Sequence, residues 1–199
     1  MLNEFSKLQK HLSADLFNCD ISGDTLHIID DYNIDSNMSE EMLLKFVDAI
    51  SNVCQIKYVK IYIQKKHSNQ SIEDVLFHFQ LLQKSGNVRK LKDNCRKKLQ
   101  FIEAFKEKGI QCSYLVYPKF KVKPPFHGRY WLSMTSGFIV DGSINTAQNK
   151  MVLAQVMDEE NYALIRVMTK NIIDCNEHTM DEYDQTKLEN LYGSLDQLS

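Results

Sequence analysis

The chain has 199 residues, 43% hydrophobic and 25% charged, with a formal net charge of −2. That length fits one domain with at most a small appendage, and the composition is that of an ordinary globular protein with no repeats and no low-complexity tract. No apolar run approaches the length of a membrane span, and the N-terminus lacks the apolar core of a signal peptide.

Residues 2–17 read as a helix, because Leu2, Phe5, Leu8, Leu12 and Leu16 recur at spacings of three and four, and Gly23 ends the pattern. Thr25 to Tyr32 then reads as a strand that finishes in an acidic turn. Asp35-Ser36-Asn37 supplies capping residues for a helix of about 39–53, with Met42, Leu43, Phe46, Val47, Ile50 and Val53 as its apolar stripe. Tyr58 to Ile63 is rich in β-branched and aromatic residues and predicts a strand. Ser71-Ile72-Glu73-Asp74 resembles a helix start, continued by Val75, Leu76, Phe79 and Leu82 until Gly86.

A long helix follows, with Val88, Leu91, Cys95, Leu99, Ile102 and Phe105 on one side and Arg89, Lys90, Lys92, Arg96, Lys97 and Lys98 on the rest. Gly109 is its C-terminal stop. Ile110 to Tyr117 predicts a strand, and Lys119 to Pro125 a basic, proline-bearing loop. Met151 to Met157 predicts another strand. Asp158 caps a helix of about 159–173, with Tyr162, Ile165 or Leu164, Met168 and Ile172 inward. The acidic last segment, about 179–196, reads as a helix, either packed on the domain or mobile.

Strands separated by helical segments predict an α/β architecture with helices on both faces of the sheet. The expected divisions are an N-terminal helix over 1–23, a main domain over 24–173 and an acidic C-terminal helical segment over 174–199. The five cysteines, Cys19, Cys54, Cys95, Cys112 and Cys175, are scattered with no CxxC pair. That pattern argues against a zinc site and for reduced thiols in a cytoplasm.

Charge is distributed unevenly. From Lys84 to Tyr130 there are 13 Lys and Arg against 3 Asp and Glu, a balance of +10, which leaves −12 for the remainder. Such a block attracts phosphates even on a neutral protein. Lys119, Lys121 and Lys123, interleaved with Phe120 and Phe126, form a basic-aromatic lip suited to nucleic acid, with Arg96 and Lys97 as further contacts.

The block runs into Phe126-His127-Gly128-Arg129-Tyr130-Trp131-Leu132, which alternates as a half-buried strand does. Gly137 to Asn145 is an apolar run that leaves through Gly142-Ser143-Ile144-Asn145. Joined by Met134-Thr135-Ser136, the two would form a hairpin. His127 and Arg129 are two apart and share one side of a strand, and the return brings Ser143 and Asn145 back to the open end. One imidazole, one guanidinium, one hydroxyl and one amide then converge, a set suited to a phosphate.

These residues resemble the signature of the phospholipase D-like superfamily, His-x-Lys followed after a hairpin by Gly-Ser-x-Asn. The order of elements over roughly 24–173 resembles that family's layout as well. The resemblance implies a mixed sheet with helices on both faces. It also implies a covalent phosphohistidine: one histidine attacks phosphorus, a second protonates the leaving oxygen, and water releases the intermediate without a metal or cofactor. By resemblance His127 is nucleophile or acid, Arg129 and Asn145 hold phosphoryl oxygens, and Ser143 supports them. Only one such motif is present, and single-motif relatives pair two chains about a twofold axis, so a homodimer is implied.

Two departures bear on activity. Arg129 stands where the family has lysine, and the acidic residue expected a few positions later is replaced by Ser133 and Met134. Asp141, Asp158 and Glu159 are the candidates to take its place. Two readings stay open. One is a metal-independent phosphodiesterase, foremost a nuclease. The other is a catalytically silent module of the same fold that binds phosphate-bearing ligands, a membrane or a protein partner, including as a subunit of a bacterial antiviral defence complex.

Overall fold

A computed structural model describes residues 25–29, 44, 47–48, 51, 56–65, 71–77, 88–117, 129–133, 137–141, 153–173 and 180–197. The strands are β1 (Thr25–Ile29), β2 (Tyr58–Gln64), β3 (Gln111–Tyr117), β4 (Arg129–Leu132), β5 (Gly137–Asp141), β6 (Leu153–Val156) and β7 (Asp181–Tyr183). They form one seven-stranded sheet in the order β6-β5-β4-β1-β2-β3-β7. β1, β2 and β3 are parallel neighbours, while β4, β5, β6 and β7 join antiparallel. The class is α/β with a mixed sheet, as the alternation of strand and helix patterns predicts.

The helices are α1 (Ile72–Phe77), α2 (Val88–Glu107), α3 (Glu159–Ile173) and α4 (Gln185–Asp196). One face of the sheet presents Leu26, Ile28, Val59, Ile61, Ile63, Tyr114, Val116 and Trp131 to α1, α2 and α4, which contribute Leu76, Phe101, Ile102, Phe105, Leu188 and Leu195. The opposite face packs Ile29, Tyr62, Leu115, Tyr117, Tyr130 and Leu132 against Ile165 and Ile172 of α3. Successive strand residues serve opposite faces because the side-chain period of a strand is two. Among the described residues no helix is long and apolar enough to cross a membrane.

The helix starts are local chemistry. Ser71 and Asp74 cap α1 reciprocally: the Ser71 N–H donates to the Asp74 carboxylate and the Asp74 N–H to the Ser71 hydroxyl, both at 3.0 Å. The Asp158 carboxylate accepts from the Asn161 N–H at 2.7 Å, and that of Asp184 from the Lys187 N–H at 2.9 Å, so α3 and α4 are capped in the same way. α2 ends at Gly109, whose φ of +75° is a conformation that glycine adopts without a Cβ penalty. In the predicted helix of about 39–53, the described residues Leu44, Val47, Asp48 and Ser51 are helical. Asp48 pairs with Lys108 at 2.6 Å, tying that helix to the turn after α2.

One expectation changes and two alternatives are resolved. The C-terminal segment opens with strand β7, paired with β3 through Tyr183, Glu182 and Asp181, and only then becomes helical. Three residues, two of them acidic, carry no strand pattern of their own; the free edge of β3 recruits them. α4 then packs on α2 as part of the main core, with Leu188 and Leu195 buried. In α3, Ile165 is the inward residue and Leu164 is 56% exposed. The predicted N-terminal helix and the loop over 119–125 lie outside the described residues.

Gly137 opens β5 at a close crossing with α3. A Cβ there would stand 2.6 Å from the Leu132 side chain and 3.2 Å from both the Trp131 carbonyl and the Tyr162 ring. Tyr162 also donates its hydroxyl to the Ser133 carbonyl at 2.9 Å, and the Met157 N–H donates to the Gly137 carbonyl at 3.0 Å. These contacts anchor the β4–β5 hairpin to α3.

Candidate functional site

β4 runs antiparallel to β1, with Ile29 opposite Tyr130, and Arg129 pairs with Val140 of β5. The start of β4 and the finish of β5 therefore meet at the end of the sheet where β1, β2 and β3 finish. In open α/β sheets that end, beyond the carboxyl termini of parallel strands, is where ligands are held. The Arg129 backbone sits at this end. His127, Ser143 and Asn145 lie outside the described residues, as do Lys119, Lys121 and Lys123. Asp141 closes β5 opposite Leu153, also at this end.

Asp158 and Glu159 are elsewhere. β6 leaves the motif end at Leu153 and reaches Val156 opposite Phe138, three strand positions away or about 10 Å. Asp158 lies further on and is committed to capping α3. The Asn161 N–H, followed by the Asn161 side-chain amide, holds its carboxyl below the usual range. Of the three acids, Asp141 alone has its backbone at the Arg129 end of the sheet.

Gln64 is a residue that the sequence pattern does not single out. It ends β2 at the same end of the sheet, and its amide nitrogen is buried without a hydrogen-bond partner among the described residues. A buried donor of that kind is met by a bound acceptor or by ordered water. The only sequence signal for it is a polar residue closing a β-branched run.

His27 occupies the middle of β1, paired with Leu132, three strand positions from the level of Arg129. That is about 10 Å along the sheet. Its Nδ1 shares a 2.9 Å hydrogen bond with the Tyr62 hydroxyl. Burial, then the nearby charges of Arg166 and Lys60, lower its pKa from 6.5 to about 4. His27 is a neutral, structural imidazole, too far along the sheet to serve beside the Arg129 end.

Much of the basic block on α2 is engaged inside the protein. Lys98 is 1% exposed, with its ammonium 4.6 Å from the centre of the Tyr114 ring. Lys92 pairs with Asp196, and Lys106 donates to the Gln185 side chain at 2.9 Å. Arg96 is exposed and lies 3.5 Å from Asp93 one turn away, while Lys97 is half-buried. Both sit midway along α2, not at the end of the sheet where Arg129 stands.

Among the described residues no group of three or more His, Cys, Asp or Glu side chains comes together to hold a metal. Cys95 and Cys112 are buried free thiols. Burial pushes the Cys95 thiol up to about 11, and its Sγ lies 3.5 Å from the Leu188 carbonyl, so it acts as a core residue. No model of a known protein family matches the chain, and a search of curated proteins returns no match.

Proposed function

We propose that this chain is a phospholipase D-like phosphodiesterase, a metal-independent nuclease that works as a homodimer through a phosphohistidine. The observation that carries the reading is the meeting of the β4 start and the β5 finish at Arg129 and Val140, at the end of the sheet where three parallel strands terminate. His127 is two residues from Arg129 and Ser143 three from Val140. Chain segments of that length span at most about 7 Å and 10 Å, which is compatible with both groups reaching one phosphate. The buried Gln64 donor at the same end is consistent with an oxyanion there.

In this reading an imidazole nitrogen of His127 attacks phosphorus, and the bond from phosphorus to the leaving oxygen breaks. His127 of the second copy gives its proton to that oxygen. Water then attacks the phosphohistidine, passes a proton back to the second imidazole, and the phosphorus–nitrogen bond breaks. Arg129 and Asn145 hold the non-bridging oxygens, and Asp141 is the candidate to orient an imidazole. The substrate preference for nucleic acid rests on Lys119, Lys121 and Lys123.

Arginine in place of the family's lysine favours a second reading, the silent phosphate-binding module, because guanidinium is bulkier and not equivalent to ammonium. One experiment separates the two. Cleavage of single- and double-stranded DNA and RNA, and of a soluble bis-ester, is followed in excess EDTA. Activity that disappears in His127→Ala and persists in Arg129→Lys is the expected result. Equal turnover by wild type and His127→Ala on every substrate, with phosphate binding intact, leaves the silent module. Activity that requires added magnesium defeats both readings.

A further inference from the structure

The sheet face under α3 is apolar over only part of its length. Across β1, β2 and β3 the register sets Ile29, Tyr62 and Leu115 in one row, which packs against α3. The next row toward the strand beginnings is His27, Lys60 and Ser113, and the one after it is Thr25, Tyr58 and Gln111. Six consecutive polar or amphipathic positions in the middle of a sheet depart from parallel strands covered on both faces, which are apolar throughout. The opposite face obeys that rule with Leu26, Val59 and Cys112, then Ile28, Ile61 and Tyr114.

A groove of about 600 Å³ runs along the beginnings of β2 and β3, lined by Tyr58, Lys60, Gln111 and Ser113 of these rows together with Ile102 and Lys106 of α2 and the β7–α4 junction. Its volume is in the range of small-molecule pockets. Lys60 is half-buried at the centre of the platform and forms no ion pair among the described residues. Arg166 of α3 stands close enough to His27 for its charge to be felt there, so two cations flank a neutral imidazole. The acids of the groove, Glu182 and Asp184, belong to β7 and the start of α4. β7 is the direct neighbour of β3 and lies two strands from β2, so these acids border Ser113 and Gln111 and stand about 10 Å from the strand that carries Lys60.

We propose that this groove is a second ligand site, separate from the Arg129 end, for a small molecule carrying a phosphate or carboxylate group. Lys60 pairs with the oxyanion, and Ser113 and Gln111 hydrogen-bond to it. The exposed ring of Tyr58 forms the wall against which the rest of the molecule rests.

The test is an NMR titration of the full-length chain with inorganic phosphate and with acetate, each against sodium chloride at matched ionic strength. Saturable shifts of the Lys60 and Ser113 amides with either oxyanion are expected, and the stronger of the two arms names the group. Lys60→Met should weaken that binding at least tenfold while Arg129→Ala leaves it unchanged. Lys60→Gln, which removes the charge and keeps a polar chain, serves if Lys60→Met does not fold. Shifts no different from chloride, or binding unaffected by loss of the Lys60 charge, would overturn the proposal. Phosphate binding lost in Arg129→Ala and kept in the Lys60 variants would do so as well, by assigning the anion to the other end of the sheet.

Discussion

His27 makes acid sensitivity a calculable property of this fold. Its pKa falls from 6.5 to about 4, first through burial and then through Arg166 and Lys60. In the unfolded chain the imidazole protonates below about 6.5, whereas the folded protein keeps it neutral until about 4. Between these values the unfolded state binds more protons, so stability falls as pH falls. Above 6.5 both states are neutral and the contribution is complete; below about 4 both are charged and the loss is finished. The full gap corresponds to about 3 kcal/mol, and about 2 kcal/mol is lost by pH 5.

The perturbation is His27→Gln, which cannot titrate and can still hydrogen-bond to Tyr62. Urea unfolding at pH 7 and pH 5 gives the two stabilities for each protein. Wild type should lose about 2 kcal/mol more than His27→Gln across that interval, because the remaining histidines are common to both. A loss equal in the two proteins would refute the reasoning. An NMR titration placing the His27 ring near 6.5 would refute it directly.

Replacing Lys119, Lys121 and Lys123 by alanine should weaken nucleic-acid binding and lower the slope of log affinity against log salt by roughly 2–3, the loss of about three phosphate contacts. A slope unchanged in filter binding across 50–200 mM salt, a range on the scale where such contacts show, assigns these lysines to another role. Leu188→Ala empties a fully buried position between α4 and α2 and should cost about 2–5 kcal/mol in chemical unfolding. A cost under about 1 kcal/mol would mean that α4 is not part of the main core.

How much was legible follows from the range of the forces involved. The amphipathic periods of α2 and α3, the caps at Ser71 and Asp158 and the stop at Gly109 act within a few residues, so local sequence is sufficient for them. The β-branched runs of β2 and β3 are legible for the same reason, and with them the α/β class. β7 was not, because Asp181-Glu182-Tyr183 is a strand only through pairing with β3, 65 and more positions earlier in the chain. Ile165 and Leu164 are adjacent apolar residues either of which satisfies the period; the position of the sheet under α3 decides between them.

The candidate site divides along the same line. The residue types, His127 with Arg129 and Ser143 with Asn145, are legible from strand spacing and from the resemblance of the motif. Which of Asp141, Asp158 and Glu159 has its backbone at the Arg129 end required the strand register, since only the direction of β6 carries the last two away from it. The polar platform was equally invisible. His27, Lys60 and Ser113 are separated by 33 and 53 residues, and nothing local marks them as neighbours. Local composition determined which segments form strands and helices. Pairing across the sheet, a matter of hydrogen-bond register and of which face is covered, decided which side chains those strands bring together.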